Sequence, residues 1–175
     1  MNIFTLKFIS ILIFTLIIPI NGFCNNSDLN SISNNLAPAG ILYDDAKLLN
    51  EKENKAVSDI LSDHNSEGPG SISIVTIQEL PKEVSIEQYA YDLINAIPSF
   101  EHEKKDRIIL LISLKDRELR IETSESVWDL LTDKECESII QNVIVSNFKN
   151  KQYFKGIKVG LTAIIDELKE KQPNK

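Results

Sequence analysis

Five consecutive apolar residues, Ile108-Ile109-Leu110-Leu111-Ile112, limit the fold more than any other part of the chain. Successive side chains of a strand point to opposite faces. A strand that is apolar at both parities must therefore be covered on both sides. Lys115-Asp116-Arg117 reads as a turn, and Glu118-Leu119-Arg120-Ile121-Glu122 alternates as a strand returning beside the first. The rest of the chain has to supply two layers of helices.

The flanking segments do so. Ile41-Leu42-Tyr43 is a short extended lead. Asn50 with Glu53 three residues later is the pairing of a capped helix start, and the spacing predicts a helix over 51–63 burying Ala56, Val57, Ile60 and Leu61. Ser66-Glu67-Gly68-Pro69-Gly70 breaks it. From Ser71 to Leu80, Ile72, Ile74, Val75 and Ile77 mix with small polar residues as a strand, which Pro81 ends. Ser85 and Gln88 open a helix over 86–97. Thr132 and Glu135 open another over 134–148, with Cys136, Ile139, Ile140, Val143, Ile144 and Phe148 on one face. A last helix over 153–169 carries Ile157, Leu161, Ile164, Ile165 and Leu168. This order predicts an α/β domain over residues 41–170, a small mixed β-sheet flanked by helices on both faces as a three-layer sandwich, with 171–175 a frayed tail.

The N-terminal residues read as targeting sequence. Lys7 is the sole charged side chain before Asp28, and Phe8 to Ile20 is almost wholly apolar. That run is short for a membrane span of about 20 residues and suits a signal-peptide core of about 7–15. Gly22 and Cys24 are small residues placed for cleavage after Cys24. Left uncleaved, the same segment would anchor the chain. Residues 25–40, rich in Asn and Ser and ending in Pro-Ala-Gly, read as a flexible tether. Export places the chain in the periplasm or outside the cell. Removing residues 1–24 takes away one positive charge and moves the net charge from −7 to −8, a surface that repels nucleic acid. Cys136 is then the single cysteine, on an apolar helix face as a small buried hydrophobe. His64 and His102 lie in polar stretches and form no metal spacing with it.

The order of segments resembles the TPM domain. The residues that carry the resemblance are Tyr43-Asp44-Asp45-Ala46-Lys47-Leu48-Leu49, Ile74 to Leu80 and Ile86-Glu87-Gln88-Tyr89-Ala90. Ile109 to Ile112, Asp116-Arg117 and Leu119-Arg120-Ile121-Glu122 follow, then Leu131-Thr132-Asp133, Ile139-Ile140, Phe148 and Tyr153-Phe154-Lys155-Gly156-Ile157. Where the family has a Gly-x-Gly loop and then an acid, this chain has Ser124-Glu125-Ser126 and Trp128. The family's glycine before the buried strand is also absent, with Asp106-Arg107 in its place.

The resemblance implies that the loop at 124–126 lies beside the acids, so that Asp44, Asp45 and Asp133 form a weak site for calcium or a similar hard cation. Phosphatase chemistry, the alternative the family suggests, would take Asp44 and Asp133 for a metal and Arg117 or Arg120 for phosphate charge. No histidine stands ready as a base and no serine sits in a nucleophile elbow. The expectation is therefore a non-enzymatic binding or accessory protein of the envelope, its partner an unidentified envelope protein.

Overall fold

A computed structural model describes residues 26–36, 42–97 and 106–171. The elements run α1 (Asn26–Leu36), β1 (Leu42–Asp44), α2 (Glu51–Glu67), β2 (Ser71–Ile77), α3 (Ile86–Ala96), β3 (Arg107–Ser113) and β4 (Glu118–Thr123). A 3-10 turn (Glu125–Val127) leads to α4 (Asp133–Ser138), a π-helical stretch (Ile139–Ile144), α5 (Val145–Phe148) and α6 (Tyr153–Glu170). The sheet order is β1-β2-β3-β4, with the first three strands parallel and β4 antiparallel to β3.

The doubly apolar strand sits where its sequence requires. Ile108, Leu110 and Ile112 face a core built with Val57, Leu61, Ile144, Ile157, Leu161 and Leu168. Ile109 and Leu111 face a second core with Tyr89, Ala90, Leu93 and Ile94. The predicted α/β sandwich with helices on both faces is thus the observed one. Asn50 and Thr132 both close capping boxes, with Glu53 and Glu135. Both crossovers, through α2 and α3, step the same way across the sheet but lie on opposite faces. They therefore have opposite hands, and one departs from the right-handed rule for parallel strands.

Two expectations are corrected. Residues 26–36 of the expected tether form helix α1, and its Leu29 and Ile32 are buried against α3. Their i, i+3 spacing, hidden among Asn and Ser, lets one helix turn cover apolar surface of α3. His64, expected in polar surroundings, is 6% exposed, its Nε2 3.1 Å from the Pro69 carbonyl. The signal segment, His102 and residues 172–175 lie outside the described residues.

The helix expected over 134–148 is continuous but underwound in its middle to π geometry. Beside it α6 presents Gly160, where a Cβ would stand 2.5 Å from Ile144 Cγ1. In a solvent-facing helix Gly→Ala gains about 1 kcal/mol. Here Gly160→Ala must push Ile144 out of a fully buried position, so urea unfolding will show a loss of stability.

α6 is also tied down at its end. Lys171 Nζ lies 2.6 Å from both Glu135 carboxylate oxygens. That contact, then the Thr132 N–H, holds the Glu135 pKa at about 2 instead of the usual 4.5. A depressed acid pKa stabilises the fold above the unfolded value and loses that contribution as pH falls through the folded one. Melting temperatures should fall between about pH 4.5 and 2, and Glu135→Gln should flatten that part of the profile.

Candidate functional site

β1 ends in Asp44, whose carboxylate is fully engaged. Oδ1 accepts from the Thr76 hydroxyl and from the Leu48 N–H at 3.1 Å, and Oδ2 accepts from the Leu49 N–H at 3.0 Å. Thr76 Oγ1 accepts in turn from the Ala46 N–H at 3.1 Å. Asp44 thus closes the turn that aims the chain into α2. A shallow hollow beside it is lined by Lys47 and Lys55. Asp45 is exposed.

The other expected residues stand at the opposite end of the sheet. The Ser124 N–H donates to the Arg107 carbonyl, and its hydroxyl accepts from the Arg107 N–H, each at 2.8 Å. Ser124 therefore completes the β3–β4 ladder, with the Ser126 hydroxyl 3.2 Å away. Arg107 pairs with Ser71, and Asp44 pairs with Thr76. Those five residues of strand span about 17 Å. Asp133 is exposed at the first position of α4. Its helix runs on to Val145 beside the start of β4, a rise of about 18 Å over the intervening residues. The sheet therefore separates Asp44 and Asp45 from Ser124, Ser126 and Asp133, and the expected convergence of these groups does not form. Trp128, at the family's acid position, is 59% exposed.

The remaining reactive groups are also committed. Arg120 pairs with Glu122 at 2.8 Å. Burial, reinforced by Asp133, pushes the Cys136 thiol up to about 12, which keeps it protonated at neutral pH.

A groove of about 1210 Å³ lies at the carboxyl ends of β2 and β3, where open α/β sheets place their ligands. Its walls are the 79–87 segment, the β3–β4 turn, and Ile140, Gln141 and Val145. Asp116 fixes the turn, its Oδ2 accepting from the Leu80 N–H at 2.7 Å and the Ser113 hydroxyl at 2.6 Å. These two bonds, the hydroxyl's first, hold its pKa below the ordinary carboxylate value. Glu83 and Arg117, both on the groove, adopt positive φ of 65° and 61°, a conformation side chains other than glycine rarely take. A hollow of about 560 Å³ containing Lys149, Lys151 and Tyr153 adjoins it at Arg117. The sequence reads Lys115-Asp116-Arg117 simply as a turn. The Ser113-x-x-Asp116 spacing was the available signal that the turn is built.

The sequence pattern of the TPM domain matches residues 42–167, from β1 into α6. This chain belongs to the TPM domain family. The resemblance drawn from its segment order is borne out, and α1 lies outside the matched stretch. Three solved structures share the fold. The N-terminal domain of a P. gingivalis protein matches at a TM-score of 0.69 and 20% identity, over 79% of this chain and 88% of that one. The BA42 protein of Bizionia argentinensis matches at 0.60 and 20%, over 73% and 86%. The N-terminal domain of the cg2496 protein from Corynebacterium glutamicum matches at 0.58 and 9%, over 79% and 86%. No curated protein matches this TPM chain.

The geometry separates the two acids by role. Asp44→Ala strips acceptors from two backbone amides and the Thr76 hydroxyl. It should cost about 1–2 kcal/mol in a chelator-containing buffer, with no metal involved. Asp133→Ala loses a helix-dipole contact worth about 0.3–1 kcal/mol. Chemical denaturation of both variants measures the difference.

Proposed function

We propose that this TPM domain is an exported, non-enzymatic binding domain of the cell envelope, with the groove at the carboxyl ends of β2 and β3 as its recognition surface. The observation that carries the reading is the way this groove is built. A bonded turn, two backbones held at positive φ and an apolar wall of Leu80, Leu119, Ile140 and Val145 surround about 1210 Å³. Such polar groups set in an apolar concavity suit recognition. Export rests on the Phe8–Ile20 core and the small residues Gly22 and Cys24.

The phosphatase alternative asks Asp44 and Asp133 to share a metal across the sheet. Calcium takes six to eight oxygen ligands. Asp44 alone would offer one carboxylate, already accepting three hydrogen bonds, so a hard cation binds there weakly. This leaves a recognition role as the better fit.

A photo-crosslinking residue in place of Gln141, on the groove wall, should give a discrete covalent adduct in the envelope fraction. The same residue at Lys158, exposed on α6, should give none. N-terminal sequencing of that protein should begin near Asn25 or Phe23. Purified chain should hydrolyse aryl phosphates no faster than buffer, with or without millimolar calcium. Turnover abolished by Asp44→Ala would overturn the reading in favour of the enzyme.

A further inference from the structure

The sheet has two edges of very different length. β1 offers three residues, whereas β4 offers six, Glu118–Thr123, with a single paired side. The Ser124 N–H bonds to the Arg107 carbonyl, which fixes the parity of the β3–β4 ladder. By the alternation of an antiparallel pair, Arg120 and Glu122 turn their backbone groups toward β3. Leu119, Ile121 and Thr123 turn theirs outward. No described residue hydrogen-bonds to those outward groups. Natural sheets blunt such an edge with proline, bulges or charged side chains; of β4's three charges, Arg120 and Glu122 pair with each other and Glu118 stands at its start. β4 has no proline and no lysine, and its ladder runs without a bulge from Ser113–Glu118 to Ile108–Thr123.

The groove lies along the start of this edge. It is lined on one side by the beginning of α3, on the other by the π-helical stretch, and between them by Glu118 and Leu119. Since α3 and the π stretch cover opposite faces of the sheet, a groove touching both rounds the β3–β4 turn and reaches the first residues of β4, Glu118 and Leu119. Its charge is lopsided. Glu83 and Glu118 line it without an ion-pair partner among the described residues, whereas Glu87 is bonded by the Ser85 hydroxyl, Asp116 is bonded to the turn and Glu79 pairs with Lys115 at 3.3 Å. Lys82 and Arg117 are its two cations.

We propose that β4 is a strand-addition site: an extended, lysine- or arginine-bearing segment of a partner protein pairs with the outward groups of Leu119, Ile121 and Thr123. Main-chain bonds along the edge supply affinity, while alternate side chains of the segment meet the acids and the Leu119–Ile140–Val145 wall. The inference rests on the groove being the recognition surface and names the class of its partner.

The test uses the mature chain, labelled for NMR, with the peptide acetyl-Lys-Val-Lys-Val-Lys-Val-amide and a Glu-Val counterpart. The basic peptide should slow amide exchange at Leu119, Ile121 and Thr123, and the acidic one should not. Leu119→Pro removes an outward N–H, a change an edge strand tolerates, and should abolish binding. Glu83→Lys/Glu118→Lys alters exposed side chains only and should weaken binding by about tenfold or more. Should Leu119→Pro fail to fold, Thr123→Pro takes its place. Equal binding of the acidic peptide, or unchanged binding by the charge variant, overturns the proposal. Peptide contact along the groove walls without protection of the three amides overturns strand addition while leaving the groove reading intact. An adduct absent from the Gln141 position alongside peptide protection at β4 would do the reverse.

Discussion

Burial of β3 on both faces is the constraint on which the rest of the molecule depends. An apolar strand of this kind cannot lie at an edge or on a one-sided sheet, so β2 and β4 must flank it and helices must cover it twice. Ile108, Leu110 and Ile112 demand the α2, π-helix and α6 layer, and Ile109 and Leu111 demand α3. Because both layers are required, the crossovers through α2 and α3 fall on opposite faces. The unusual mixture of hands is then a consequence of covering one central strand twice while the chain steps steadily across the sheet.

The same arrangement decides where chemistry can happen. Three parallel strands send their loops to one end, so Asp44, the β2–α3 segment and the β3–β4 turn share that end. Ser124, Trp128 and Asp133 are carried to the other. Two of the polar groups that looked like ligands from their residue type have local tasks. Asp44 closes the turn into α2, and Ser124 finishes the ladder with Arg107. The Ser residues that replace the family's glycines fit this role. Ser124 can supply the hydroxyl that bonds the Arg107 N–H, which glycine cannot.

Most of the fold was legible because its signals are local. Apolar runs, capping pairs such as Asn50–Glu53 and Thr132–Glu135, and breaker residues each act within a few positions. α1 was missed because two buried residues, Leu29 and Ile32, stand in a segment whose Asn and Ser content favours turns. The π stretch carries no local signal; it packs against Gly160 of α6, a contact from a helix further along the chain. The candidate site was the least legible part. Asp44–Thr76 and Leu80–Asp116 are 32 and 36 residues apart in sequence, and only strand register brings each pair together. The relative placement of Asp44 and Asp133 depends on that register too, so residue type alone suggested a cluster that the sheet pulls apart.

The recognition surface assigned to this TPM domain stands on a β4 edge that no described residue pairs with. Native-state amide exchange of the chain without any partner reads that edge directly. Slow exchange at Arg120 and Glu122, alternating with faster exchange at Leu119 and Thr123, is the result this account predicts. Uniform protection across residues 118–123 would mean that another part of the chain already pairs with β4, and would contradict the account.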